Sequence, residues 1–245
     1  MNSNTMLDVN QLSKAYQSVP VIQDLSFSLN AGERLAIFAP SGAGKTTLLR
    51  ILAGLERADQ GEFTLQELVP VVLFQEPRLF PFLTLEQNIF LPFEAQQRKI
   101  TPQIRKAFQH WLEVCDLAEC TRLYPWQCSG GMKQKAAIIR AMLGSPRLVL
   151  LDEPFQSIGG EAKSAVINHL VQTNPDLSAL FITHIPDEIP LLAHSVLFFH
   201  QQQLTHPLVI PAEKFMQENF AYPLPTHLMQ QAQTSAHQPF EIKIY

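Results

Sequence analysis

The chain has 245 residues, 46% of them hydrophobic and 16% charged, with a formal net charge of -4 and a pI near 6.1; this is a folding composition, which excludes a disordered chain and gives no electrostatic basis for a nucleic-acid partner. The longest apolar runs fall well short of the ~20 residues a membrane-spanning helix needs, and the start "MNSNTMLDVNQ" has neither a basic nor an apolar signal region. Cys115, Cys120 and Cys128 form no Cys-x-x-Cys pair, so reduced thiols and a cytoplasmic location are expected.

In chain order, strand-like apolar stretches are "LDVNQL", "LSFSL", "RLAIFA", "VPVVLF", "LVLLD" and "ALFITH". Several are short continuous runs of Val, Ile, Leu and Phe, the pattern of strands covered on both faces. Helical patterns separate the later ones, over residues 46–53, 102–115, 131–143 and 160–172. That alternation predicts a largely parallel sheet wrapped by helices, an α/β fold. Residues from about 83 to 144 carry helix patterns without a convincing strand, so a helical subdomain is expected to be inserted there. After about residue 205 the character changes, with Pro207, Pro211, Pro223, Pro225 and Pro239 among Gln and His residues. A single domain over 1–204 with a short extension over 205–245 is the expected organisation.

"IFAPSGAGKTT" follows a strand pattern and precedes a helix pattern, the setting of a phosphate-cradling loop. The loop spans Ala39, Pro40, Ser41, Gly42, Ala43, Gly44, Lys45, Thr46 and Thr47. Backbone N–H groups around Gly42–Thr46 can form a concave donor nest, strengthened by the helix N-terminus. Lys45 can reach the β- and γ-phosphates, and the Thr46 hydroxyl can ligate magnesium. Ala39 stands where glycine is usual; with an ordinary φ there, alanine costs little.

"RLVLLDEPF" puts Asp152 and Glu153 at a strand end. Beside a phosphate loop, such a pair suits a magnesium-holding aspartate and a general base. Between the two motifs, "CSGGMKQKAAIIRAML" resembles the signature of ATP-binding cassette (ABC) ATPases, matching it at Ser129, Gly130 and Gly131. The resemblance extends over about residues 6–204. It implies a P-loop cassette with a RecA-like parallel core, a trimmed N-terminal antiparallel β-subdomain and a helical insert. It also implies that Tyr16 stacks on adenine, that Gln75 senses magnesium and the water, and that His184 contacts the γ-phosphate. ATP and Mg2+ are the expected ligands, bound between two cassettes paired head to tail.

In ABC transporters the segment that here reads "EPRLFPFLTL" receives a helix of a membrane permease, and Leu79, Phe80, Phe82 and Leu83 are the candidate docking residues. "FQEPRLFPFLT" and the Met-containing signature are similar to the nitrate, sulfonate, taurine and thiamine-precursor branch of bacterial importers. A separate permease and, indirectly, a substrate-binding protein are the implied partners, with the chain peripheral on the inner membrane face. Three positions depart from the family pattern: Ala39, Cys128 in place of leucine, and Gly159 in place of a coupling aspartate. They leave open a weakly hydrolysing or regulatory nucleotide-binding subunit as the alternative. A non-transport ABC ATPase is disfavoured, since the spacing leaves no room for long coiled coils and one cassette is present.

Overall fold

The computed structural model describes residues 4–66, 69–199 and 203–217. Two long strands come first, β1 (Thr5–Tyr16) and β2 (Val19–Asn30). They are joined by Gln17 and Ser18, which have φ of 48° and 67°, the two left-handed residues of a tight hairpin whose twist suits antiparallel strands. β4 (Gln60–Leu65) pairs with β1, giving an antiparallel sheet of order β2-β1-β4. Gly61 is required in it: φ is 77° and a Cβ would lie 2.2 Å from the Gln11 carbonyl oxygen, where β1 bulges.

The larger sheet has the order β5-β6-β7-β3-β8-β9. Its members are β3 (Arg34–Phe38), β5 (Val71–Leu73), β6 (Leu148–Asp152), β7 (Ser178–Ile182), β8 (Ser195–Phe198) and β9 (Leu208–Pro211). The first five run parallel and β9 is antiparallel to β8. Every residue of β3, β6 and β7 is buried, which explains their unbroken apolar sequences. Alternate residues feed two cores. Ala36, Phe38, Val149 and Leu151 join helices on one face, while Leu35, Ile37, Leu148 and Leu150 meet α1 (Lys45–Leu52) and the antiparallel sheet on the other.

Between β5 and β6 the chain forms α2 (Leu85–Ala95), α3 (Pro102–Cys115) and α4 (Gly130–Met142). Thr84 and Gln87 cap α2 reciprocally, Thr101 caps α3 ahead of Pro102, and Ser129 caps α4. α5 (Gly160–Thr173) and α6 (Ile189–Leu192) flank β7 in sequence. The parallel-sheet core, the small antiparallel sheet and the helical insert are the expected cassette architecture. Residues 208–217, which the sequence reading assigns to the extension, pack with the sheet instead: β9 pairs with β8, and α7 (Ala212–Gln217) buries Ala212 and Phe215 in the helical-face core. Strand β9 hides in the sequence because Pro207 and Pro211 bracket its three apolar residues, as an edge position allows. Pro223, Pro225 and Pro239 lie outside the described residues.

Candidate active site

The loop between β3 and α1 turns on two left-handed glycines, Gly42 (φ 79°) and Gly44 (φ 94°). Gly44 has a second constraint: a Cβ would come 2.8 Å from the Val21 carbonyl oxygen, so the β1–β2 hairpin presses directly on this loop. Ala39 is absent from the left-handed residues and its methyl is buried in the core beside Ala43 and Leu48. The position therefore has no need of glycine. Lys45 Nζ donates to the carbonyl oxygens of Ala39 (2.8 Å) and Pro40 (2.9 Å). Burial pushes the Lys45 ammonium below its ordinary pKa, against the pull of Glu153 and Asp152.

Next along α1, Thr46 Oγ1 donates to Asp152 Oδ2 at 2.9 Å, which joins the phosphate loop to the end of β6. Burial raises the Asp152 carboxyl above the usual carboxylate range, and the Thr46 hydrogen bond works the other way. Glu153 then leaves the strand in a left-handed conformation, φ 47°, unusual for a residue with a long side chain. Its N–H donates to the Ile182 carbonyl oxygen (3.0 Å) at the end of β7. Two residues past Ile182, His184 Nδ1 lies 3.1 Å from Glu153 Oε1. Thus the ends of β6 and β7, neighbours in the sheet, set the acid and the histidine side by side.

The loop holding His184 is anchored by groups that sequence spacing does not reveal. Thr183 Oγ1 donates to Glu188 Oε2 (2.6 Å), Lys163 Nζ from α5 donates to Glu188 Oε1 (2.7 Å), and Glu188 is buried. Gln75, just past β5, donates from Nε2 to Gln156 Oε1 (2.8 Å), three residues after Glu153. Tyr16 is 43% exposed at the hairpin tip; its hydroxyl donates to Glu56, and Lys14 Nζ lies 5.5 Å over its ring. Tyr16 shares its hairpin with Val21, and so with the wall of the phosphate loop.

Ser129 caps α4 by accepting from Met132 N–H (3.2 Å). Gly130 and Ser129 are exposed, while a Cβ on Gly131 would meet the Ser157 carbonyl oxygen at 2.9 Å. Ser129, Gly130 and Gly131 therefore form an outward-facing helix N-terminus beside the loop that follows Glu153. Cys128 is buried and donates from Sγ to the Tyr124 carbonyl oxygen (3.3 Å), filling the core where leucine is usual. Gly159 is extended (φ -72°, ψ 159°) at the N-cap of α5, with nothing within 4 Å of a built Cβ.

Of the residues predicted to hold magnesium, Thr46 and Asp152 bring a hydroxyl and a carboxylate together, the hard oxygen donors such a cation takes, while Gln75 is hydrogen-bonded to Gln156. Among the described residues no group of three or more His, Cys, Asp or Glu could hold a metal by itself. No helix among the described residues is long and apolar enough to cross a membrane.

Residues 22–156 match the family described as ABC transporter. An aliphatic sulfonates import ATP-binding protein from Bacillus thuringiensis subsp. konkukian is 31% identical, with 96% of each chain aligned. Another, from Pseudomonas aeruginosa, is 36% identical over 78% of this chain and 81% of its own. A spermidine/putrescine import ATP-binding protein from Protochlamydia amoebophila is 33% identical over 81% of this chain and 57% of its own. A solved ATP-binding subunit of an ABC transporter shares the fold with a TM-score of 0.77 at 23% identity, over 94% of this chain and 100% of that one. Its motifs, its fold and its relatives agree: the chain belongs to the ABC transporter family and is one of that family's ATP-binding ATPase cassettes.

Proposed function

We propose that this cassette powers a bacterial importer of a small solute, with an aliphatic sulfonate the leading candidate among nitrate, sulfonate, taurine and thiamine-precursor substrates. The sulfonate import proteins among its relatives support the substrate class. The observation that carries the enzymatic part is the joining of Thr46 to Asp152 and of Glu153 to His184 at two adjacent strand ends.

In the proposed cycle two copies bind ATP head to tail. Tyr16 stacks on adenine, and the amides of residues 39–47 with Lys45 cradle the phosphates. Ser129, Gly130 and Gly131 close on the γ-phosphate held by the opposite copy. Magnesium, when bound at Thr46, Asp152 and Gln75, would neutralise phosphate charge. Glu153 takes a proton from the attacking water, and His184 holds the γ-phosphoryl oxygens as charge builds on them. Gln75 reports the occupied site to the helical insert. Product release separates the copies, and the permease follows the opening and closing.

Docking to a permease at the inner membrane face is supported by the loop after Gln75. Phe80 and Phe82 are 54% and 88% exposed, yet the loop is preset. Fully buried Asn88 accepts from Phe80 N–H (2.7 Å) and donates to the carbonyl oxygens of Phe80, Leu83 and Thr84. Val71, Phe93, Arg98 and Arg140 line a cavity of about 270 Å³, which Arg140 links to this loop by donating to the Pro77 and Arg78 carbonyl oxygens; the cavity is a seat for an apolar helix end with an acidic residue. The test is ATP-dependent uptake of labelled taurine or ethanesulfonate into vesicles that hold this chain with a sulfonate permease and its binding protein. Uptake that needs Lys45 supports the reading; uptake equal without the chain removes it.

A further inference from the structure

Gln134 stands on α4 just past the first turn, and it is 1% exposed. Its Nε2 donates to the Pro154 carbonyl oxygen at 2.9 Å, while its Oε1 has no hydrogen-bond partner among the described residues. An apolar side chain of similar size would fill the same space and remove the unmatched Oε1, at the expense of leaving the Pro154 carbonyl oxygen without this donor. What the amide adds is therefore its donor, aimed at the residue directly after Glu153.

That neighbour needs holding. Glu153 is left-handed at φ 47°, a conformation that persists where surrounding contacts over-determine it. One contact comes from β7, through the Glu153 N–H on Ile182. Pro154 has no N–H to offer, so its carbonyl is the backbone handle on the other side, and Gln134 takes it. A second tie joins the same two segments, because Gly131 and the Ser157 carbonyl approach too closely for a side chain at 131. The helix that begins at the signature thus grips the 154–157 loop twice.

We propose that Gln134 is a positioning residue for hydrolysis: its amide holds Glu153 in the productive left-handed conformation and makes α4 and the base move as one body. Closure of Ser129–Gly131 on a phosphate is then felt at Glu153 of the same chain. This route does not use position 159, where Gly159 lacks a carboxylate. It rests on the reading of Glu153 as the base.

The test is a double-mutant cycle on the full chain with Gln134→Met and Glu153→Gln. Steady-state ATP hydrolysis, ATP binding and thermal unfolding are measured for each variant. Gln134→Met is expected to lower kcat by roughly tenfold or more, as a misplaced catalytic group does, with KM for ATP unchanged. In the Glu153→Gln background it should add little, since the group it positions is already gone. Should Gln134→Met not fold, Gln134→Asn, too short to reach Pro154, carries the same expectation. Parent kcat in the folded variant, a rise in KM alone, or an equal loss in both backgrounds overturns the proposal. Parent-like turnover in Glu153→Gln by itself overturns instead the assignment of the base.

Discussion

Replacing Gly159 with aspartate is expected to stabilise the protein and tighten its response to ATP. The residue is the N-cap of α5, is extended, and offers no side chain to the free N–H groups of the first helical turn. A Cβ built there meets nothing within 4 Å, so aspartate enters without strain. Three gains add: a side-chain cap, a negative charge at a helix N-terminus, and the lost flexibility of glycine in the unfolded chain. Glu161 already places a carboxylate in that turn, which offsets part of the dipole gain. The sum is about 1 kcal/mol, or about 2–4 °C in a chain of this size. Thermal unfolding of Gly159→Asp reads it directly, and an unchanged or lowered midpoint would refute the cap argument. The same variant supplies the carboxylate the family usually carries between paired cassettes, so hydrolysis should rise more steeply with ATP concentration. A raised midpoint with unaltered kinetics would keep the cap argument and remove the coupling role from this position.

Ala39→Gly should lower stability by about 1 kcal/mol through a lost buried methyl and a freer unfolded chain, with ATP affinity unchanged; a gain in affinity would show that glycine is needed after all. Gly44→Ala combines a left-handed φ with a 2.8 Å approach to Val21. It is expected to cost about 2–3 kcal/mol and to weaken ATP binding, and a parent-like nucleotide titration would contradict this. Burial holds the Asp152 carboxyl above the ordinary carboxylate range. Its folded form therefore prefers the proton, and the free protein loses that share of stability as pH rises from the unfolded value through the folded one. Magnesium would need the ionised carboxylate, so MgATP affinity should fall as the pH is lowered towards the raised Asp152 value. Asp152→Asn should flatten that profile; a slope that survives the substitution assigns it to another group.

The parts of the fold readable in the sequence are those whose chemistry is local. Strands β3, β6 and β7 announce themselves because burial on both faces leaves no polar alternation. The starts of α3, α4 and α5 follow from Thr101-Pro102, Ser129 and the Gly159-Gly160 pair. Strand β4 is mostly exposed and opens on Gln-Gly-Glu, so nothing in its composition marks it; pairing with β1 makes it a strand. Lys45, Thr46, Asp152 and Glu153 are legible because backbone geometry at strand ends dictates the residue types there. Gln134, Gln156, Glu56 and Glu188 are not. Each acts through a partner brought near by the fold, as Glu188 does with Lys163, 25 positions away in sequence. The Ala39 departure loses its weight once its φ and burial are known, whereas Gly159 keeps its own.

The measurement that bears most directly on the account is ATP hydrolysis by the full chain with and without the Glu153 carboxylate. At saturating MgATP, Glu153→Gln should turn over more slowly by a factor of about 10² to 10⁴, the contribution of a positioned general base, while binding ATP as tightly as the parent and pairing in its presence. Hydrolysis by Glu153→Gln at the parent rate would contradict the account, because the acid set beside His184 at the end of β6 would then have no part in the reaction.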